Sequence, residues 1–520
     1  MSETFDVVVA GAGPVGLMLA CELRLAGVEV LVVERLTEID RTIKAGAINV
    51  PTAQAFDRRG LLPELLAHQQ AAIERMKAFD VRRVAANRPP IAGHFAGIML
   101  SFDLIDAEDP AFAGVGPAGR AVLVSQQGIE EILGARAAEL GVVVRRGVEV
   151  TDLTDHGDGD GVTVRCRTAQ GGGSGSCGGE EIRASWLVGC DGGRSTVRKL
   201  AGFDFPGIGP EITGRQAVVE MSETEGLQPG WHDTEHGIYV YGPTPGRFLT
   251  VELDGPPIDR DAPITAVELE ASLRRVSGVP VRVSAVHSAT RFTDNTRQVP
   301  DYRKGRVLLA GDAAHVHSPF GGQGLNLGIG DAVCLGWKLA AVVDGRMDER
   351  LLDTYTAERY PIGAWVLEWT RAQVALMRLD RRSKALRAVM SELLSTGDGA
   401  TTVFKRIAGV LHRYHLGGDH ELIGTIAPDR DLSDGTRVAE HFTAGQGVLF
   451  DFADSSQLRA AAAPWQDRIR IVTAKPLDAS DAPGSRDASG VLVRPDGYVA
   501  WAATDGTEGL TTALTRWFGR

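Results

Sequence analysis

A chain of 520 residues is long enough for more than one domain and an ample core, and 43% hydrophobic with 23% charged residues is an ordinary globular balance. A formal charge of −12 argues against nucleic acid or an anionic membrane surface as a partner. The five cysteines (Cys21, Cys166, Cys177, Cys190, Cys334) show no CxxC or paired spacing and read as free thiols of a reducing compartment, so no metal site is expected.

Residues 7–10 are four apolar residues in a row and predict a strand buried on both faces. Gly11, Gly13 and Gly16 then lead into an apolar helix over 17–26, and a second strand over 28–33 ends on Glu34, 18 residues after Gly16. This is the dinucleotide-binding fingerprint in its required context of strand, turn and helix. Gly11 permits the tight turn, Gly13 lets backbone approach a pyrophosphate, and Gly16 lets the helix lie close to the strand. The N-terminus of that helix meets the phosphate charge, and Glu34 is placed to accept hydrogen bonds from the ribose hydroxyls. The ligand is FAD or NAD. The apolar start carries Asp6 and no basic leader, and no run is expected to reach the length of a membrane span, so a cytoplasmic location is expected.

After a polar, turn-rich stretch over 35–50, apolar spacing predicts a helix over 52–69 and a strand near 97–102. A helix over 129–140 stops at Gly141, and strands follow at 142–146 and 148–153. Strands 161–167 and 181–188 form a hairpin whose tip is the glycine run 171–179, read as flexible. Between 205 and 292 short alternating strands (217–221, 237–242, 248–253) and one helix near 266–276 predict an inserted antiparallel sheet. A buried strand at 306–310 returns to the first fold, followed by long helices at 332–343 and 349–376. Strands at 447–450, 469–472, 490–494 and 498–501, the last two joined at Pro495-Asp-Gly497, predict a small C-terminal α/β domain.

Two further motifs select FAD. Asp191-Gly-Gly-Arg-Ser-Thr-Val-Arg198 follows the strand ending at Gly189, and Gly311-Asp-Ala-Ala-His-Val-His-Ser-Pro-Phe-Gly-Gly-Gln-Gly-Leu-Asn326 follows the strand ending at Ala310. With the N-terminal fingerprint, these resemble the FAD-dependent group A aromatic hydroxylases of the p-hydroxybenzoate hydroxylase type, over about the first 400 residues. Within that family, the stretches 26–35, 188–194 and 199–207 are similar to the actinobacterial hydroxylases that tailor aromatic polyketides of the angucycline and anthracycline kind. Residues 427–432 and 493–501 resemble the thioredoxin-like C-terminal domain of those enzymes, here without any cysteine.

The resemblance implies an α/β fold with a Rossmann-like FAD-binding domain over 1–75, 110–204 and 293–395. It further implies an inserted antiparallel substrate domain over 76–109 and 205–292, and a thioredoxin-like domain over 405–520 lacking redox cysteines. It assigns cofactor binding to Gly11, Gly13, Pro14, Val15, Gly16, Glu34, Arg35, Gln126, Asp191, Gly192, Gly311, Asp312, Pro319, Gly321, Gly322, Gly324, Leu325 and Asn326. Lys44 stands where the family usually places an FAD-binding arginine, and it cannot form a bidentate fork. Asp312 ends a strand and can bond ribityl hydroxyls. The 319–324 loop, nearly free of side chains, lets a flat ring lie on bare backbone, and the following helix points its N–H groups at flavin N1 and the C2 carbonyl. Arg194 and Arg198 are candidates for NADPH phosphates, against a surface salt bridge. His315 and His317 are expected to be structural. Pro319, Gly322, Tyr239 and Tyr241 are the expected reaction-centre residues, the tyrosines lining a substrate roof if they do not face the sheet's far side; His236 and Arg215 are weaker candidates.

The reaction implied is NADPH (or NADH) reduction of FAD, formation of a C4a-hydroperoxide with molecular oxygen in a water-poor pocket, and hydroxylation of a phenolic polycyclic polyketide. Baeyer–Villiger insertion or oxidative rearrangement of a polyketide quinone begins at the same peroxide and stays open, as does a flavin reductase or dehydrogenase without oxygen transfer. The partner is a small aromatic substrate, with neither nucleic acid nor membrane, and the chain is a monomer or homodimer.

Overall fold

The computed structural model describes residues 3–79, 91–119, 121–157, 159–168, 179–242, 244–260, 262–477 and 482–520. The glycine run at 171–178, with Cys177, and part of the stretch assigned to the substrate domain, 80–90, lie outside these described residues. The first apolar run forms the strand Glu3–Ala10, whose last four side chains are almost wholly buried. It sits inside a sheet of eight strands because it has parallel neighbours on both sides: Val30–Glu34 on one, Glu180–Gly189 on the other. Val143–Arg146 and Val307–Leu309 extend the parallel order outward. The hairpin of Val162–Thr168 and Glu180–Gly189 forms as predicted, in antiparallel register.

Helix α1 (Pro14–Leu25) follows the first strand and packs on α4 (Gln126–Glu139), which Ser125 caps. The single helix expected over 52–69 is two, α2 (Val50–Arg58) and α3 (Leu62–Phe79). Gly60 separates them at φ +72, a left-handed turn that no helix interior accommodates. A short helix α5 (Thr196–Leu200) begins within the Asp191 motif.

The inserted region folds as a five-stranded antiparallel sheet in the order Gly230–Asp233, Ile238–Tyr241, Arg247–Glu252, Thr213–Ser222, Arg282–Phe292. Helix α6 (Ala266–Ser277) covers one face through Leu269, Leu273 and Val276. The other face closes, through Ile238 and Val251, on Phe320 and on the hairpin Ile91–Phe95/Ile98–Ser101.

Helix α7 (Gly324–Val343) begins where the 319–324 loop ends and runs unbroken into the apolar stretch at 332–343, with Leu327 and Ile329 of its first turns already buried. It is long and apolar enough to cross a bilayer, against the expectation that no run would be, yet 83% of that stretch is buried inside the protein. Helix α8 (Arg350–Met377) packs along it. The C-terminal sheet runs Ile469–Thr473, Gly447–Asp451, Gly490–Val493, Val499–Ala503, mixed parallel and antiparallel, with helices at Ser456–Ala462 and Leu510–Phe518. Its inward residues, including Leu449, Leu492 and Trp517, belong to the same continuous core as Val8, Leu17 and Leu335. The C-terminal unit is therefore packed onto the first domain rather than hung from it.

Candidate functional site

Three strands of the parallel sheet end side by side, at Ala10, Gly189 and Leu309, and each feeds one of the three motifs. Ligands of open parallel sheets bind outside such carboxyl ends. Gly11 has φ +110, and a Cβ there would lie 2.4 Å from the Cys190 carbonyl oxygen. A Cβ on Gly16 would lie 1.9 Å from the Gly11 carbonyl oxygen, so helix and turn meet backbone to backbone. Gly13 is different: its φ is −76 and a Cβ would meet nothing within 4 Å. It is the N-cap of α1 without a side-chain cap, which leaves first-turn N–H groups aimed at open space. Pro14 is buried, and Val15 wedges against Gly311 and Gly328. Glu34 accepts the Ala12 N–H at 2.8 Å and the Leu36 N–H at 2.9 Å, pinning the turn from the second strand, while Arg35 is exposed.

The Gly311 motif forms a second bare surface. Gly311 (φ +61) donates its N–H to Asp331 at 3.0 Å, and the neighbouring Asp312 carboxylate is exposed and has no bond to the described residues. Gly321 and Gly322 both have positive φ, and α7 begins at Gly324 with no side-chain cap. Asn326 fixes this start from within: it accepts the Asn49 N–H and donates to the Gly322 carbonyl, each at 2.9 Å. Leu325 is half-buried beside it and Pro319 is exposed. His315 is fully buried, with Nε2 2.6 Å from Asp331, whose other oxygen takes Arg359 Nε at 2.7 Å. Burial works to raise the Asp331 carboxyl, but the facing His315 and Arg359 charges prevail and hold it below its ordinary value. His317 bonds the Ser318 carbonyl through Nδ1 at 2.7 Å and leaves Nε2 buried and unpaired; burial pushes its basicity down.

Residues 4–370 match the family model described as an FAD binding domain, and residues 420–520 match the C-terminal domain of aromatic-ring hydroxylases. The chain belongs to the FAD-dependent aromatic hydroxylases. It is 41% identical, over 99% of each chain, to the 12-dehydrotetracycline 5-monooxygenase/anhydrotetracycline 6-monooxygenase of Streptomyces rimosus. Among solved structures it is similar to anhydrotetracycline hydroxylase from Streptomyces rimosus (39% identity, TM-score 0.84) and to an aromatic hydroxylase from angucycline biosynthesis (38%, TM-score 0.83), each matched over 99% of both chains.

The cofactor of this flavin monooxygenase is FAD, and the chain fits it on structural grounds. Two helix N-termini stand without a side-chain cap, Gly13 leaves room a side chain would fill, and the exposed Asp312 carboxylate has no partner among the described residues. Other expected residues are held differently. Lys44 Nζ lies 2.8 Å from Asp40; burial would raise that carboxyl, but Lys44 and Thr42 draw it down to about 2. Gln126 donates its side-chain amide to Glu130 at 2.9 Å and its backbone N–H to the Ala45 carbonyl, which ties α4 to the Lys44 loop.

Asp191 turns one oxygen onto the Thr196 and Val197 N–H groups at 2.6 and 3.1 Å and so anchors the start of α5; its other oxygen is buried and unpaired. Gly192 adopts φ +80 with open space around it, and Arg194 is exposed. Arg198 is neither a phosphate ligand on the surface nor a surface salt bridge. It is buried, donates to the Ala313 and Gly193 carbonyls at 2.9 and 2.8 Å, and stacks 3.8 Å over Phe205. It joins the second motif to the third.

The tyrosines are a correction to the expected roof. Tyr239 and Tyr241 pair with Thr250 and Phe248 on the face covered by α6, and Tyr239 stacks 4.8 Å from His232. Arg215 shares that face in ion pairs with Glu252 and Glu268, and His236 is exposed in a turn. The alternation holds, but the side is the opposite one. The face toward the flavin loop carries Trp231, Ile238, Val240, Leu249 and Phe292, with Trp231 and Phe292 set edge-on to Phe320 at 6.1 and 6.0 Å. Sequence reasoning also missed Gln373, fully buried in α8. It accepts the Ala96 N–H at 3.0 Å and donates to the Phe320 carbonyl at 3.3 Å, locking the hairpin turn of the inserted domain to the flavin loop. An amide in an apolar helix stripe was the available signal.

Proposed function

We propose that this FAD-dependent monooxygenase hydroxylates an electron-rich ring of a phenolic polycyclic aromatic polyketide, with NAD(P)H as electron donor. The observation that carries the proposal is the aromatic cluster where the 319–322 loop meets the middle sheet, with Trp231 and Phe292 edge-on to Phe320. Such flat, apolar surfaces beside the loop suit a fused-ring guest and keep water out. When bound, FAD supplies electron transfer from NAD(P)H and the activation of O₂, one atom of which enters the ring. The chain contributes geometry and charge. Uncapped backbone N–H groups of α1 would hold the pyrophosphate, and those of α7 would stabilise the N1 and C2 edge of the flavin, where negative charge gathers on reduction.

We assign FAD contacts to Gly11, Gly13, Pro14, Val15, Gly16, Glu34 and Asp312 and to the 319–325 backbone. Asn326, Asp191 and Arg198 act as supports for these loops. We place the enzyme in the cytoplasm, where NAD(P)H is available; its described cysteines are free, three of them buried.

The test is turnover of a panel of tri- and tetracyclic phenolic polyketides under ¹⁸O₂. The expected outcome is one heavy oxygen in a phenolic product, identified by mass and NMR. A lactone would redirect the reading to Baeyer–Villiger chemistry. NAD(P)H oxidation yielding only hydrogen peroxide across the panel would overturn it.

A further inference from the structure

The two faces of the middle sheet treat their arginines in opposite ways. Under α6, Arg215 donates to Glu268 at 2.8 Å and lies 3.2 Å from Glu252, while Arg291 donates to both oxygens of Glu268, at 3.1 and 2.6 Å. Each of these buried cations has its carboxylate. The opposite face, which meets Phe320, carries Arg247, in one cross-strand row with Val218 and Ser288. The Arg247 guanidinium is half-buried and makes no hydrogen bond or ion pair with the described residues, and the Ser288 hydroxyl is shut off from solvent without a partner.

One row nearer the flavin loop, Gln216 lies half-buried between Leu249 and Thr290, with no side-chain hydrogen bond to the described residues. The Thr290 hydroxyl donates to the Ile43 carbonyl at 3.1 Å, which places the Lys44 loop across this same face. Burial pushes the Arg247 guanidinium down, and no acidic group among the described residues faces it to offset that cost. A partly desolvated cation without a counter-ion is unfavourable, and an anionic guest relieves it.

Distance gives the guest its orientation. Val251 shares a cluster with Phe320, and Arg247 lies four residues back along the same strand, about 13 Å away at ~3.3 Å per residue. That is on the order of the long axis of a linear four-ring aromatic. We infer that Arg247, with Gln216 and Ser288, forms the recognition end of the substrate groove and binds an ionised oxygen of the guest, at the end distal to the ring being oxidised. A planar guanidinium fork matches a carboxylate or the paired oxygens of an enolised β-dicarbonyl. The inference rests on the proposed function and adds the charge and the direction of the substrate.

The probes are 4,5-dihydroxyanthraquinone-2-carboxylate and its primary carboxamide, titrated into the FAD-loaded protein with dissociation constants read from flavin fluorescence. The parent is expected to bind the carboxylate about ten-fold or more tightly than the amide. Arg247→Gln is expected to bring the two within about two-fold, and Arg247→Lys to keep an intermediate preference, with FAD stoichiometry as the folding control. Equal binding of both probes by the parent, or a preference that survives in Arg247→Gln, overturns the inference while leaving the hydroxylase reading intact. If Arg247→Gln does not fold, an undiminished preference in Arg247→Lys overturns it equally. A loaded protein that binds neither probe counts against both.

Discussion

The two ends of α7 carry polar groups in opposite states. At its start the first-turn N–H groups lack a cap, Asp312 has no hydrogen-bond partner among the described residues, and His317 Nε2 is buried and unpaired. Three to four turns on, the charges are buried and matched. Arg494 takes both oxygens of Glu358 at 2.8 Å and both of Asp496 at 2.5 and 3.1 Å, and Lys338 Nζ stands 2.8 Å from Glu358, off hydrogen-bonding geometry. Cys334, Glu358 and Asp496 bring metal-ligand atoms together there, but the two cations already occupy the carboxylates. Unmet groups mark where something else binds; saturated groups mark where the chain binds itself. Here the saturated cluster fastens the C-terminal hairpin to the helix that begins at the 319–324 loop.

Removing one charge from that cluster has the largest expected effect. Glu358→Gln leaves Arg494 and Lys338 buried beside a neutral amide and is expected to cost about 3–5 kcal/mol, read as a lowered urea midpoint. Burial alone would raise the Glu358 carboxyl, yet Arg494 and Lys338 hold it at about 2. A depressed carboxyl stabilises the folded state above its unfolded value, near 4.5, and that contribution is lost as pH falls toward the folded value. The gap between parent and variant is therefore full above about pH 4.5 and narrows as pH falls toward about 2. A gap that does not change with acid would break the comparison.

At the unsaturated end the expectation reverses, with function lost and stability kept. Gly13→Ala meets nothing within 4 Å and asks for an ordinary φ of −76, so the fold accepts it. The added methyl occupies the space where backbone must approach the pyrophosphate, and FAD affinity is expected to fall about ten-fold or more, about 1.4 kcal/mol, by equilibrium dialysis. The apoprotein's melting temperature should stay within a degree or two of the parent's, since no contact is lost. Gly16→Ala sharpens the contrast, because its Cβ would collide with the Gly11 carbonyl and damage the turn itself.

What the sequence made legible follows the same division. The three motifs were readable because glycine at a fixed offset from a buried strand serves little purpose besides close backbone approach, and the fold confirmed their convergence at one sheet edge. The antiparallel insert was readable from alternation. Which of its faces met the 319–322 loop was not, because period two separates two sides without naming them. Only contacts with α6 and Phe320 decide that. Arg198, Gln373 and the Glu358–Arg494 pair escaped for a different reason: each joins segments far apart in the chain, and a buried charge or amide looks like a surface residue until its partner arrives. Gln373 and Ala96, for example, are separated by 277 positions.

The smallest expected effect tests that face assignment. Tyr239 is 6% exposed and packs with Leu269, Leu273 and Val276 of α6, on the opposite side of the sheet from Phe320. Its ring stacks on His232, and its hydroxyl makes no hydrogen bond to the described residues. Tyr239→Phe keeps the ring, its stacking and its volume, so neither packing nor a polar contact is lost. Turnover and KM for the polycyclic substrate should each stay within about two-fold of the parent, a difference below about 0.5 kcal/mol. A hydroxyl that held or deprotonated the substrate would instead show a fall of about a hundred-fold and a shifted pH–rate profile. That result would put the tyrosine row on the substrate side and move Arg247 off it, because Tyr241 pairs with Phe248, and Phe248 and Arg247, adjacent on one strand, point to opposite faces.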